Sequence, residues 1–283
     1  MARCPNRLVV KVGTSTLTDE LGHARLCVFD RLARVLSDLH SMGLEVVLVS
    51  SGAVAAGAER LNMAGRPPVP GMKRAAAAVG QWNIMRLYGR FFEEYGKTIA
   101  QILLSEEDLE GGERRERLSG TLDALLEMGV IPVVNGNDPV SRARADAAGW
   151  KFGDNDTLSA EVAVLCGARR LVILSDVDGL YDGDPRLCPQ AALIGRVERI
   201  DDWICALAGG AGSQRGTGGM QTKLQAARLA ADRGIDTILA NGGRPEVLRE
   251  IVRGGRVGTL FPGKAGGFSA CPEGGGAVGP ERF

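Results

Sequence analysis

Residues 8–15 read LVVKVGTS, and this stretch decides the fold class. Leu8–Val12 is a short β-like run that is apolar except for Lys11, and it ends in the turn Gly13-Thr14-Ser15. A second run, LEVVLV at 44–49, ends in the same way at Ser50-Ser51-Gly52. Continuous apolar strands of this kind are typical of a sheet that is covered on both faces.

Outward from these two runs, strands alternate with segments of helical spacing. Helices are predicted at 28–43, 53–56, 73–95, 113–128, 156–167, 221–233 and 245–252. Further strands are predicted at 98–104, 130–134, 170–174, 236–240 and 257–261. Such alternation indicates right-handed crossovers and a parallel sheet. The predicted fold class is therefore α/β, a three-layer α/β/α sandwich around a largely parallel open sheet.

Composition excludes several classes of protein. The chain has 283 residues with 34 Lys plus Arg and 34 Asp plus Glu, so its formal net charge of zero argues against nucleic acid as the main partner. Six cysteines without a C-x-x-C pair, and His23 and His40 as the only histidines, argue against a disulfide scaffold or a zinc site. No signal peptide and no apolar run near the roughly 18 residues of a membrane helix are found, so we expect a cytoplasmic protein outside the membrane.

Polar and glycine-rich residues follow four of the predicted strands. They are Gly13-Thr14-Ser15, Ser50-Ser51-Gly52, Asn135-Gly136-Asn137-Asp138 and Ser175-Asp176-Val177-Asp178-Gly179. Each alone is what any βα turn needs. Because ligands bind beyond the carboxyl ends of parallel strands, four together predict an anion site lined by backbone N–H groups and helix N-termini.

Three segments have both a structural and a functional interpretation. Lys11 is either an edge-strand lysine with its amine in solvent or a lysine that reaches phosphates, and the adjoining turn favours phosphates. Residues 217–223, TGGMQTK, form either a flexible loop with an exposed lysine or a loop that wraps phosphates. Residues 153–156, GDND, are either a simple helix N-cap or a group that binds substrate and orients a lysine.

Two common nucleotide motifs are absent from the sequence. There is no G-x-G-x-x-G, and GTLFPGKA at 258–265 fails as a P-loop because Ala265 replaces the required Ser or Thr. The glycines 210, 212 and 216 leave an oxidoreductase with a degenerate dinucleotide loop as one alternative. A non-catalytic sensor of ATP or an amino acid is another. Residues 265–283 are predicted to be a flexible, glycine-rich tail.

A long ordered set of segments resembles the amino-acid kinase superfamily, and within it the γ-glutamyl kinase (glutamate 5-kinase) family. The resemblance spans about residues 8–261. Its segments are VVKVGTS (9–15), SSGAVAAG (50–57), AAVGQ (77–81), VVNGNDPV (133–140), KFGDNDTLSA (151–160), SDVDGLYDGDPR (175–186), GTGGMQTKLQAA (216–227), GIDTILANG (234–242) and VGTLF (257–261).

The resemblance implies a role for each matching residue. The implied catalytic residues are Lys11, Lys223 and Asp156, with Asp156 orienting the two lysines. The implied glutamate-binding residues are Ser51, Asp138 and Asn155. The implied ATP-binding residues are Lys11, Gly13, Ser175, Asp176, Thr217, Gly218, Gly219, Met220, Gln221, Thr222 and Lys223. Direct metal ligands are not predicted.

The family also implies an activity and partners. We expect ATP- and Mg²⁺-dependent phosphorylation of the γ-carboxylate of L-glutamate, the first step of proline synthesis, with aspartate or N-acetylglutamate as alternative acceptors. A homo-oligomer, feedback inhibition by proline and transfer of the product to a glutamyl-phosphate reductase are further expectations. The expected kinase domain covers 1–264, with a glutamate-binding part at about 1–168 and a nucleotide-binding part at about 169–264.

Two departures from the family pattern stand out. Gly136 occupies a position where the family often has Glu, which puts one polar contact near the acceptor in doubt. Many members also carry a C-terminal PUA domain of the RNA-binding type, and this chain is expected to be a short form without it.

Overall fold

The computed structural model describes residues 6–19, 21–63, 67, 69–140, 154–185, 187–208 and 219–264. Its strands are β1 (Arg7–Val12), β2 (Glu45–Ser50), β3 (Ile99–Leu104), β4 (Ile131–Gly136), β5 (Arg170–Ser175), β6 (Asp236–Asn241) and β7 (Thr259–Phe261). Its helices are α1 (Thr14–Leu17), α2 (Leu26–Ser41), α3 (Ala53–Arg60), α4 (Pro70–Glu94), α5 (Glu113–Glu127), α6 (Asn155–Leu165), α7 (Asp202–Leu207), α8 (Met220–Ala231) and α9 (Val247–Val252), with a 3₁₀ turn at Glu106–Asp108.

The seven strands form one sheet in the order β3-β4-β2-β1-β5-β6-β7. Every neighbouring pair is parallel except β6 with β7, which is antiparallel. The expected largely parallel sheet is therefore confirmed. The chain leaves the central strand β1 first toward β2 and later returns to β5 on its other side. The crevice between the carboxyl ends of β1 and β5 is thus the topological switch point, where open α/β sheets bind their ligands.

Helices cover both faces of the sheet, which confirms the three-layer sandwich. One core packs α2, α4 and α9 against the sheet, and the other packs α5, α6 and α8 against its opposite face. Side chains alternate along β1, so Leu8, Val10 and Val12 belong to the first core and Val9 to the second. Lys11 shares the face of Val9 and therefore points toward α6 and α8.

Helices α3 and α4 approach each other closely through two glycines. A Cβ at Gly57 would lie 1.7 Å from the carbonyl oxygen of Ala76, and one at Gly80 would lie 1.8 Å from that of Ala53. Neither position has room for a side chain, so both glycines are required for this backbone contact. The contact fixes α4 against the segment that follows β2.

The observed elements differ from the predicted ones in short segments. The Gly13-Thr14-Ser15 turn continues into the one-turn helix α1, and α7 was not predicted at all. Helices of four and six residues are too short to show an apolar period. The rejected P-loop segment instead includes β7, which begins after Gly258 with its φ of +69°. Among the described residues, no helix is both long and apolar enough to cross a membrane.

Candidate active site

Lys11 lies at the switch point and is buried, with only 5% of its surface exposed. Its Nζ is 2.5 Å from Oδ1 of Asp156. The alternative of an edge-strand lysine in solvent is wrong, because β1 is the central strand. A buried ammonium requires a counter-charge, and Asp156 supplies it.

Asp156 is the centre of a buried group that we call the lysine–aspartate cluster, made of Lys11, Asp156, Thr222 and Lys223. Its Oδ2 is 3.1 Å from Nζ of Lys223 and accepts a hydrogen bond of 2.8 Å from the Thr222 hydroxyl. Burial raises the pKa of Asp156, but the charges of Lys11 and Lys223 outweigh burial and lower this pKa to about 2. The carboxylate is therefore ionised at neutral pH and holds both lysines at the switch point.

Two helix N-termini converge on this cluster. Asp156 is the second residue of α6, and Lys223 is the fourth residue of α8. Asp154 caps α6 by accepting a hydrogen bond from the Asp156 N–H, and burial, then the charge of Asp156, raises the pKa of Asp154. The positive ends of both helix dipoles thus face the same crevice, which favours a bound anion.

Some of the residues predicted to bind the nucleotide lie next to the lysine–aspartate cluster. Gly13 follows β1, and a Cβ there would lie 3.7 Å from Nζ of Lys11; its N–H donates to the Leu174 carbonyl. At the end of β5, the Ser175 hydroxyl donates to Asp176 Oδ1 over 3.0 Å. Gly219 is the N-cap of α8, and Met220 and Gln221 are the first two residues of this helix, whereas Thr217 and Gly218 lie outside the described residues. The ATP-binding roles of all these residues remain predictions.

A second, uncharged group adjoins the cluster, and we call it the amide network: Ser50, Ser51, Gln81, Asn135 and Asn155. The side-chain amide of Asn155 donates to the Ser50 carbonyl at 2.9 Å, to Ser51 Oγ at 3.0 Å and to Asn135 Oδ1 at 3.0 Å. Asn135 in turn donates to Gln81 Oε1 at 2.7 Å. The network links the carboxyl ends of β2 and β4 to α4 and α6.

Asp138 lies beside this network. Its Oδ1 and the Oδ1 of Asn155 lie 3.8 Å and 3.9 Å from the position that a Cβ of Gly136 would occupy. Each of these two oxygens can accept a hydrogen bond from a donor near Gly136. Burial raises the pKa of Asp138, and the charge of Lys73 acts in the opposite direction.

The structure brings together the predicted residues Lys11, Lys223 and Asp156, and it places Ser51, Asp138 and Asn155 in an adjacent group. Sequence reasoning assigned no role to Gln81, Asn135 or Lys73. Gln81 could have been found as a buried polar residue on the apolar face of α4, since such a residue requires a hydrogen-bond partner. Its partner Asn135 is 54 residues away in the chain, so no local signal indicates the pairing, although Asn135 belongs to a polar stretch predicted to line the site.

Comparisons with known proteins agree with this geometry. Residues 6–241 match the amino acid kinase family. A glutamate 5-kinase of Clostridium perfringens is 49% identical over 92% of this chain and 96% of its own length. One from Symbiobacterium thermophilum is 49% identical over 90% of this chain and 95% of its own length.

Solved structures show the same fold at lower identity. An isopentenyl phosphate kinase of T. acidophilum has a TM-score of 0.64 at 21% identity and covers 90% of this chain and 99% of its own. A UMP kinase of Bacillus anthracis has a TM-score of 0.61 at 19% identity, over 93% of this chain and 98% of its own. At these identities the likeness shows the fold alone. On the family match and the close relatives, the chain belongs to the amino acid kinase family and, within it, to the glutamate 5-kinases.

Proposed function

We propose that the protein transfers the γ-phosphoryl group of ATP to the γ-carboxylate of L-glutamate, giving ADP and L-glutamyl 5-phosphate. One observation carries this proposal: Asn155 and Asp156, the first two residues of α6, bind two different groups of side chains. Asp156 holds two lysines at the switch point, while Asn155 organises the adjoining amide network. The proposed phosphoryl and acceptor sites thus start from consecutive residues, in a chain 45–49% identical to relatives named glutamate 5-kinase.

No general base is needed in this reaction. The γ-carboxylate of glutamate has an ordinary pKa of about 4.3, so it is already a nucleophilic anion at neutral pH. The main obstacle is instead repulsion between two anions and the charge on the transferring phosphoryl group. A site that supplies cations and positions its substrates is sufficient for this chemistry.

The two lysines would neutralise that charge. Lys11 and Lys223 bind opposite oxygens of Asp156, so their ammonium groups are held close together before the nucleotide arrives. Each ammonium has further protons to donate to phosphate oxygens. Asp156 acts as a positioning residue, because both its oxygens are engaged by Lys11, Lys223 and Thr222.

The amide network and Asp138 would hold the acceptor. The space between Asp138 and Asn155 suits the α-ammonium group of glutamate. Ser51 Oγ accepts a hydrogen bond from Asn155, so its own proton is available to a carboxylate of the acceptor. These contacts would place the γ-carboxylate in line with the phosphoryl group held by the lysines.

Magnesium would enter this site with the nucleotide. Among the described residues, no group of three or more His, Cys, Asp or Glu side chains could hold a metal ion. A Mg²⁺ ion that enters with ATP would take its ligands mainly from the phosphates and from water, which is a usual arrangement for this ion. When bound, Mg²⁺ supplies further neutralisation of phosphate charge.

The wider expectations rest on this activity. A division into a glutamate-binding part at about 1–168 and a nucleotide-binding part at about 169–264 agrees with an acceptor pocket built from β2, β4 and α4. The acyl phosphate product hydrolyses readily, which favours transfer to a reductase in the cytoplasm. We also propose that proline inhibits the protein and that the protein forms a homo-oligomer.

The proposed function is tested by measuring ADP release from Mg·ATP in the presence of hydroxylamine, which traps acyl phosphates. Release that depends on L-glutamate, together with γ-glutamyl hydroxamate, is the expected result. Release with L-aspartate or N-acetyl-L-glutamate instead would keep the chemistry and change the acceptor. Folded protein that binds ATP and releases no ADP with any acceptor would contradict the proposal and favour a sensor, and NAD binding would favour the oxidoreductase.

A further inference from the structure

Lys73 lies on the face of α4 that borders the acceptor pocket. The residues Lys73, Ala77, Gln81, Ile84 and Tyr88 fall within one face of an α-helix, at successive spacings of three or four. Gln81 binds Asn135, and the Tyr88 hydroxyl lies 3.0 Å from Ser50 Oγ. This face of α4 therefore contacts the amide network at Asn135 and at Ser50.

Lys73 continues that face toward the N-terminus of α4. It precedes Gln81 by eight residues, which is about 12 Å along a helix. Asp138 lies two residues after the end of β4. Lys73 and Asp138 therefore belong to two different elements, α4 and the segment after β4. The hydrogen bond between Gln81 and Asn135 joins α4 to the end of β4.

Lys73 and Asp138 interact through their charges without forming a direct ion pair. Lys73 is half-buried, and its charge opposes the rise in the pKa of the Asp138 carboxyl that burial causes. Within the part of the chain that the structure describes, Lys73 forms no ion pair shorter than 4.0 Å with Asp138 or with any other carboxylate. A space flanked by one cation and one anion matches the zwitterion of an α-amino acid.

We propose that Lys73 binds the α-carboxylate of the acceptor, opposite the α-ammonium group held by Asp138 and Asn155. This inference rests on the proposed function and deepens it, since it assigns a recognition residue to each end of the zwitterion. Lys11 and Lys223 are not available for the task, because both are bound to Asp156 at the phosphoryl end. Lys73 is then a specificity-determining residue that selects acceptors with a free α-carboxylate.

The assignment is tested by comparing two enzymes, the wild type and Lys73→Met, on two substrates. The substrates are L-glutamate and L-isoglutamine, in which a neutral carboxamide replaces the α-carboxylate while the γ-carboxylate is kept. For Lys73→Met we expect kcat/KM with L-glutamate to fall about 10- to 100-fold, mainly through KM, as for loss of a hydrogen bond to a charged group. With L-isoglutamine we expect kcat/KM to change less than about threefold, because that charge pair is already missing.

The controls separate recognition from folding. The exposed neighbour Arg74 gives the matched variant Arg74→Met, which should leave both substrates unaffected. Lys73→Arg keeps the charge and should retain most of the preference for L-glutamate. If Lys73→Met still turns over L-isoglutamine, its active site is folded. If that turnover is too slow to measure, the inhibition constant of L-isoglutamine against L-glutamate is compared between the enzymes in place of kcat/KM. Lys73→Gln provides a second neutral variant if the first does not fold.

The outcomes distinguish this inference from the function on which it rests. An equal loss with both substrates would mean that Lys73 only supports the structure, and an unchanged preference would mean that it does not contact the acceptor. Either result, in an enzyme whose wild type forms γ-glutamyl hydroxamate, overturns the assignment of Lys73 alone. A wild type that forms no hydroxamate contradicts the proposed function instead.

Discussion

The lysine–aspartate cluster and the amide network start from consecutive residues of α6 and are built in opposite ways. Asp156 is fully buried and is bound by two lysines, whereas Asn155 donates to a carbonyl, a hydroxyl and an amide oxygen. The comparison teaches that charge is concentrated where a phosphoryl group would pass. The proposed acceptor side relies on amide and hydroxyl dipoles, and we propose that Asp138 and Lys73 add one charge of each sign to it.

The two groups should also differ in their contributions to stability. Buried charges lose their hydration, so removal of one partner leaves an uncompensated charge and costs about 3–5 kcal/mol. A neutral group that loses a hydrogen-bond partner in the interior costs about 1–3 kcal/mol. The comparison is therefore tested by removing one partner from each group and measuring the loss in the free energy of unfolding.

The largest expected effect is that of Asp156→Ala. The variant leaves Lys11 and Lys223 without their shared counter-charge, so we expect the free energy of unfolding to fall by about 3–5 kcal/mol in urea titrations. The matched control is Asp232→Ala, which breaks an exposed ion pair with Lys264 and should cost about 1 kcal/mol or less. Equal losses in the two variants would show that the cluster is no stronger than a surface pair.

The same variant has a distinct pH dependence. The pKa of Asp156 is lower in the folded protein, at about 2, than the ordinary aspartate value of about 3.9. Its stabilising contribution is therefore complete above pH 4 or so and is lost as the pH falls through the folded value. The difference in the free energy of unfolding between wild type and Asp156→Ala should become smaller as the pH falls from about 4 to 2. A difference that stays constant with pH would mean that lost packing causes the loss of stability.

A smaller effect, confined to the acceptor side, is expected for Asp138→Ala. Loss of the carboxylate removes a charged hydrogen bond to the acceptor ammonium, worth about 1.5–3 kcal/mol. Steady-state kinetics should show a raised KM for L-glutamate with an unchanged KM for ATP. An unchanged KM for L-glutamate would remove Asp138 from the acceptor site.

The smallest effects concern the packing of α4 beneath the amide network. Gly80→Ala places a methyl group against the Ala53 carbonyl, so we expect a loss of about 1–3 kcal/mol and a raised KM for L-glutamate, since Gln81 is adjacent. Gly89→Ala is the matched control on the same helix, because a Cβ there meets nothing within 4 Å. It should stabilise the protein by about 0.5–1 kcal/mol, and a loss of similar size to that of Gly80→Ala would contradict the close helix contact.

The parts of this molecule that sequence could predict are those with a local signal. The central strands were found because strands buried on both faces are continuously apolar, and Lys11 interrupts that pattern at a predictable place. Asp156 and Lys223 each lie in the first turn of a helix that follows a polar or glycine-rich stretch. Their resemblance to a known family assigned them a role, and the structure shows that they meet.

The remaining parts depend on contacts between distant segments. Nothing near Gln81 indicates that it binds Asn135, and nothing near Lys73 indicates that its charge acts on Asp138. The pairing of Gly57 with Gly80 requires the crossing of two helices to be known. The helix α7 has only six residues and a single capping aspartate, Asp201, so its sequence gives no period to detect.

The most direct test of the division between the two groups compares Lys223→Met with Asn155→Ala in one kinetic assay. We expect Lys223→Met to lower kcat about 100- to 1000-fold while KM for L-glutamate stays nearly constant, since its contact forms with the transferring phosphoryl group. We expect Asn155→Ala to raise KM for L-glutamate with a much smaller change in kcat. The reverse pattern, or the same pattern in both variants, would contradict the division of the site into a phosphoryl end that contains Lys223 and an acceptor end that contains Asn155.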